Sequence, residues 1–188
     1  MTLNREREIE IEAAAIELLQ DFGLNRFPVS IAEVARALGV ELIPYTSLPG
    51  SERDLAFAAS CDAFHVRTHD FMNVCIVFDD AQGTLFNRSR FSGGHEIGHI
   101  VLEHKEGMPD CEREADYFAG YLLAPHPLVL KCRSNFSLSE VFGVSGECAS
   151  FAYDQAQIRL REGGPLRSHE KWLLEKAVWR GGGLLGKF

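Results

Sequence analysis

Two histidines four residues apart, with a glutamate directly after the first, set the tightest constraint on this chain: His95-Glu96-Ile97-Gly98-His99. On an α-helix, residues at this spacing share a face with Cβ atoms about 5–6 Å apart. Both imidazoles can therefore reach one metal ion at about 2.0–2.1 Å. Glu96 sits one position on, where its carboxylate can reach a water on that ion without binding the ion. Imidazoles hold a divalent cation and a free carboxylate takes a proton from attacking water, so the pattern implies metal-dependent hydrolysis. By average residue usage, HExxH arises by accident in roughly one chain in a few hundred of this length.

A catalytic zinc takes three protein ligands and keeps a fourth place for water. The third ligand is sought in Glu112-Arg113-Glu114-Ala115-Asp116, on a helix expected over about 110–124 and ended by Pro125 and Pro127. Glu112 and Asp116 share one face, continued by Ala119 and Leu123; Ala115, Phe118 and Leu122 make an opposite, core-facing stripe. Glu112 is the preferred ligand, because Asp116 then lies one turn on, placed to accept the free N–H of a ligating histidine. Glu114, about 200° round the helix, is the alternative. His104 fails the extended pattern HExxHxxGxxH, since Leu102 and Lys105 stand at the required glycine and histidine positions. It reads instead as a cation ending the motif helix, where the helix dipole favours it. Cys111 reads as an ordinary thiol rather than a ligand. Zinc is the expected metal, although two histidines and a carboxylate also accept manganese or iron. Tyr117, Tyr121 and His126 are all candidates for stabilising an oxyanion.

The rest of the chain is read around this centre. Residues 3–22 are expected to form an amphipathic helix, with Ile9, Ala13, Ile16 and Leu19 at helical spacing, packed on the body. Ser30 caps a second helix with Ile31, Val34, Ala35 and Leu38 on its apolar face, and Gly39 stops it. Val40–Tyr45 reads as a strand, Pro49-Gly50 as a turn, and the stretch to about residue 80 as β-like, with Val74–Phe78 a continuous apolar strand. Asp79–Gly83 reads as a turn. His65 and His69 read as surface or turn histidines. The motif helix is expected from Leu85 to Glu103. Gly93, Gly94 and Gly98 each cost about 1 kcal/mol against alanine there, which implies close approach by another backbone or a tight fit beneath the site. The order gives an α+β fold, a small sheet beside the active-site helix and a second, glutamate-bearing helix.

With 188 residues, the chain is organised as an N-terminal helix (1–28), a central domain (29–162) and a C-terminal segment (163–188). The net charge of −8 argues against a protein that works by neutralising phosphates. Residues 163–188 carry +3, leaving −11 on the remainder. That segment is expected to form a helix from Ser168 to Arg180, which clips onto the body or covers the cleft, before a glycine-rich, frayed end. Five scattered cysteines without a CxxC pair suit free thiols in a reducing compartment. No apolar run spans a membrane and no secretory signal is apparent, so a cytoplasmic location is expected.

Three segments together, FSGGHEIGHIVLEH, EREADYFAGYLLAP and SLSEVFGVS, resemble the ImmA/IrrE family of metallo-endopeptidases. The resemblance spans about residues 30–160. It implies a zincin-like fold, zinc ligands at His95, His99 and Glu112, a catalytic Glu96, and Asp116 at the Asn/Asp position of the second motif. The chain differs from the pattern at Gly93-Gly94, where larger residues are usual, and at Ala124, where methionine is more common. The family's members cut helix-turn-helix repressors of mobile elements or stress regulons, so such a repressor is the implied partner. A module of the same fold that binds a repressor without cutting it is the alternative. Residues 137–161 have a helix-turn-helix shape: Leu138–Phe142, then Gly143-Val144-Ser145, then Glu147–Leu160. The second of these helices opens on Glu147, Cys148 and Ala149 rather than on lysine or arginine, which favours packing or substrate docking over DNA contact.

Overall fold

The computed structural model describes residues 3–67, 74–78, 86–105, 107–132 and 137–180. His69, the turn expected at 79–83, Leu85 and the glycine-rich end after Arg180 lie outside the described residues. The architecture is mostly helical with a small sheet, an α+β arrangement.

Helix α1 (Arg5–Asp21) starts at Asn4, whose side chain accepts from the Glu6 amide. It buries Ile11, Ala15, Ile16, Leu18 and Leu19, and also the carboxylate of Glu12. The buried face is thus turned from the expected one; Ile9 and Ala13 lie at its margin. A short strand, β1 (Arg26–Phe27), leads into α2 (Ile31–Ala37), capped by Ser30 and stopped by Gly39 at φ +71°. Strand β2 (Glu41–Pro44) follows.

The β-like reading of the next stretch is overturned in part: Gly50–Ala59 is a helix, α3. Its only fully buried side chain is Ala56, so it lacks the apolar stripe by which a helix is recognised. It is held instead by a turn before it, where Arg53 donates to the carbonyls of Tyr45, Thr46 and Leu48 at 3.0 Å each. Buried Tyr45 meets Phe57 edge-on. Strands β3 (Ala63–Arg67) and β4 (Val74–Phe78) complete a sheet ordered β2-β4-β3, with β2 parallel and β3 antiparallel to β4.

Helix α4 (Phe86–Val101) lies against this sheet and against α5 (Cys111–Leu123). The two-stripe reading of α5 was too narrow. Ala115 and every residue from Tyr117 to Leu123 are buried, because α1, α4 and α8 (Gly146–Glu162) surround the helix. A short α6 (His126–Val129) follows the Pro125 stop, and α7 (Leu138–Phe142) turns into α8 through Gly143 at φ +60°. The guanidinium of buried Arg90, on α4, donates to the carbonyls of Phe142, Gly143 and Val29, tying this turn to the centre.

The C-terminal segment forms α9 (Ser168–Lys176) and then β5 (Val178–Trp179), which pairs in parallel with β1. Trp179 packs on Phe27 and Phe142. The segment therefore clips onto the body beside α1. No helix among the described residues is long and apolar enough to cross a membrane.

Candidate metal centre

Small residues bring the two halves of the centre together. A Cβ on Gly94 would meet Ala119 Cβ at 3.4 Å, and one on Gly98 would lie 3.1 Å from the Ala115 Cα. A Cβ on Gly93 would meet Ile31 Cγ2 at 2.9 Å. Gly94 and Gly98 thus form a strip one turn apart on α4, facing an equivalent alanine strip on α5. This close approach, expected from the cost of glycines in a helix, holds for Gly94 and Gly98, whereas Gly93 makes room for the Ile31 side chain; it sets the first turn of α5 over the histidines of α4.

His95 Nε2 and His99 Nε2 lie 2.9 Å apart. Glu112 Oε2 is 3.3 Å from the first and Oε1 3.5 Å from the second. Ligands on a tetrahedral ion with bonds of about 2.0–2.1 Å stand roughly 3.3 Å from one another, so this donor set fits a zinc-sized cation. Among the described residues it is the one group of three His, Cys, Asp or Glu side chains so converged. Cys111, at the start of α5, is not part of it. Cys132 and Cys148 thiols are pushed up to about 11 by burial, which keeps them protonated and inert.

Each histidine is held from behind. His95 Nδ1 is 2.8 Å from Asp116 Oδ1, and Asp116 holds the ring's pKa above its ordinary value despite burial. His99 is pushed the other way, by burial and by the adjacent His95. His99 Nδ1 faces His104 Nδ1 at 3.0 Å, and His104 Nε2 lies 3.0 Å from Glu114 Oε2. The reading of His104 as a cation ending the motif helix is corrected. Glu103 takes a left-handed φ of +55°, and the His104 amide donates back to the His99 carbonyl at 3.0 Å. This reversal folds the His104 ring beneath His99, where it is almost fully buried. Only the tertiary turn puts it there; its spacing from His99 is not a helical one.

Glu96 is buried beside the histidines, and its Oε2 lies 2.6 Å from His65 Nδ1. The His65 ring is also 5.7 Å from that of His99. The reading of His65 as a surface or turn histidine is therefore overturned: β3 delivers it to the centre across the sheet. Its alternation within Ala63–Arg67 was the available signal, but nothing local tells which face of the strand meets α4.

The three oxyanion candidates are elsewhere. Tyr117 donates to Glu12 Oε1 at 2.9 Å, and Tyr121 and His126 pack edge-on beside it, all buried on the α1 side of α5. Burial and the Glu12 carboxylate push both tyrosine hydroxyls well above their ordinary range.

The helix-borne His-Glu-x-x-His pair joined by a glutamate from a second helix is the donor set of a metal-dependent hydrolase. Residues 76–152 match the model of the Peptidase_M78 family, the IrrE N-terminal-like domain, so this segment is of the ImmA/IrrE family. No curated protein matches the chain. The family points to a metallopeptidase-type function.

Proposed function

We propose that the chain is a zinc-dependent endopeptidase of zincin-like fold, acting in the cytoplasm on a regulatory protein. The observation that supports this most directly is the convergence of His95, His99 and Glu112 with Glu96 beside them. His95 and His99 would hold the ion through Nε2 and Glu112 through its carboxylate. A bound zinc supplies Lewis acidity and lowers the pKa of its water towards neutrality. Glu96 takes the water's proton through the carboxylate oxygen not bound to His65 and returns it to the leaving amine. His65 orients Glu96 by the short contact to Oε2, and burial of Glu96 keeps competing water from that carboxylate.

The substrate class we infer is a helix-turn-helix repressor. Helix α8 supports a protein partner over DNA. Phe151, Tyr153, Ile158 and Leu160 are exposed on it, and its first turn carries Glu147 rather than a basic residue.

The test is metal content by mass spectrometry on wild type, His99→Ala and Glu112→Ala, followed by incubation of wild type and Glu96→Gln with repressors. About one zinc per chain in wild type, lost in both alanine variants, is expected. Cleavage by wild type, lost in a Glu96→Gln variant that still holds zinc, separates a protease from a non-proteolytic binder. Zinc retained by Glu112→Ala would replace Glu112 as third ligand.

A further inference from the structure

We propose that the N-terminal helix, through Arg7, Glu114 and His104, fixes the tautomer of His99 so that its Nε2 lone pair faces the metal. The proposal rests on the metal-centre reading above and extends it to Arg7, which lies outside the segment the family model matches.

Arg7 Nε donates to Glu114 Oε1 at 2.9 Å and its Nη2 to Oε2 at 2.6 Å, a two-pronged contact between α1 and α5. A carboxylate so held offers only acceptors. His104 Nε2, 3.0 Å from Glu114 Oε2, must then be the protonated nitrogen of that ring. A neutral imidazole has one donor and one acceptor, so His104 Nδ1 is the acceptor. It faces His99 Nδ1 at 3.0 Å, within hydrogen-bond distance, so it accepts from that nitrogen. His99 Nδ1 therefore carries the ring proton, which leaves His99 Nε2 bare. Asp116 does the same for His95 in one step. The two Nε2 atoms, 2.9 Å apart with the Glu112 carboxylate close by, are then left to offer their lone pairs to a cation. His104, Glu114 and Arg7 are positioning residues: none is a ligand in this reading, and each acts through its neighbour.

The sequence carries the parts but not the wiring. Glu114 is two residues from Glu112 and points away from it, towards α1. Arg7 is 107 positions from Glu114. The relay exists only because α1 lies along α5.

The experiment is chelator competition for zinc on the full chain, with thermal melting of each variant and nitrogen-15 histidine spectra without metal. Glu114→Gln offers an amide that can donate to His104, which permits the reverse relay and a protonated His99 Nε2. Zinc affinity is expected to fall about 10–100-fold in Glu114→Gln, as for other groups that orient ligating histidines. Arg7→Ala should weaken it in the same direction and Arg7→Lys by less. The double variant Arg7→Ala/Glu114→Gln should be no weaker than Glu114→Gln alone, because the two residues act in series. Spectra should show His99 protonated at Nδ1 in wild type and partly at Nε2 in Glu114→Gln. Arg5→Ala, on the same helix but bound to Glu8, Glu12 and Glu162, should lower the melting temperature and leave zinc affinity unchanged. Unchanged zinc affinity in both Arg7→Ala and Glu114→Gln, with wild type binding normally, would overturn the relay alone. Should Glu114→Gln fail to fold, the half-exposed Arg7 decides by itself. Zinc binding equal in wild type and His99→Ala would overturn the metal centre, and the relay with it.

Discussion

Two clusters in this molecule contain the same parts, two histidines and a glutamate, and only one is built for a cation. In the first, Glu112 is largely exposed and otherwise uncommitted, and its oxygens approach two nitrogens that lie 2.9 Å apart. In the second, Glu12 is 1% exposed. Its Oε1 accepts from Tyr117 and Arg5, and its Oε2 from Arg167. His126 Nδ1 and His169 Nε2 stand 3.6 and 3.5 Å off, beyond hydrogen-bond distance, and neither has a hydrogen-bond partner. Two arginines have already supplied the charge a metal would bring. The comparison teaches that donor count does not make a metal site. An uncommitted carboxylate and converging lone pairs do, while a saturated carboxylate makes a structural lock between α1, α5, α6 and α9.

The largest expected contrast is in zinc binding. His99→Ala should abolish it, whereas His126→Ala should leave it intact; loss in both would merge the two clusters into one functional unit. Next comes stability. Glu12→Ala leaves the Tyr117 hydroxyl and the buried His126 and His169 rings without the carboxylate they face and takes one partner each from Arg5 and Arg167. Breaking one side of a buried ion pair costs about 3–5 kcal/mol. Denaturant melts should show a loss of that order in Glu12→Ala, and a much smaller one in Glu112→Ala without metal, since Glu112 is solvated.

A smaller share of that difference should be visible as a pH effect. Burial alone would raise the Glu12 carboxyl, but the facing His126 and His169 rings and the Tyr117 hydroxyl hold it far below the ordinary 4.5. A depressed carboxylate contributes its full stability above the unfolded-state value and loses it as pH falls through the folded one. Wild type should therefore lose stability more steeply than Glu12→Gln once pH drops below about 4.5; parallel curves would show that the lock is not charged. The smallest effect is expected at the seam between the helices. In Gly98→Ala the new methyl meets Ala115 and Phe118. Overpacking of about 1–3 kcal/mol is offset by about 1 kcal/mol of helix propensity. A modest fall in melting temperature, with weaker zinc binding as Glu112 is pushed away, should result.

Much of the chain was legible without coordinates. The helix carrying His95 and His99, the helix carrying Glu112 and Asp116, the Ser30 cap, strand Val74–Phe78 and the turn at Gly143 all follow from local periodicity, capping and glycine. That the glycines on α4 have a packing reason was legible too, because a repeated propensity cost needs one; that Gly94 and Gly98 face α5 while Gly93 faces Ile31 was not. Helix α3 was not, since it buries one alanine and is fastened by Arg53 to carbonyls outside itself. The rotated face of α1 was missed because Glu12 sits in the core, and no apolar pattern announces a buried carboxylate.

By itself, then, the sequence determined the helix that presents two imidazoles on one face, the glutamate beside them, and a second helix whose carboxylates recur at a one-turn spacing. These are properties of a 3.6-residue period and hold wherever the helix is placed. Tertiary structure alone decided which distant groups meet that face. It brought His65 from the sheet to Glu96 and folded His104 beneath His99 through one left-handed residue. It also turned Glu114 to Arg7 and sent Tyr117, Tyr121 and His126 to Glu12 instead of to the cleft. Such meetings depend on how helices and strands pack, and packing joins residues whose separation along the chain carries no periodic signal.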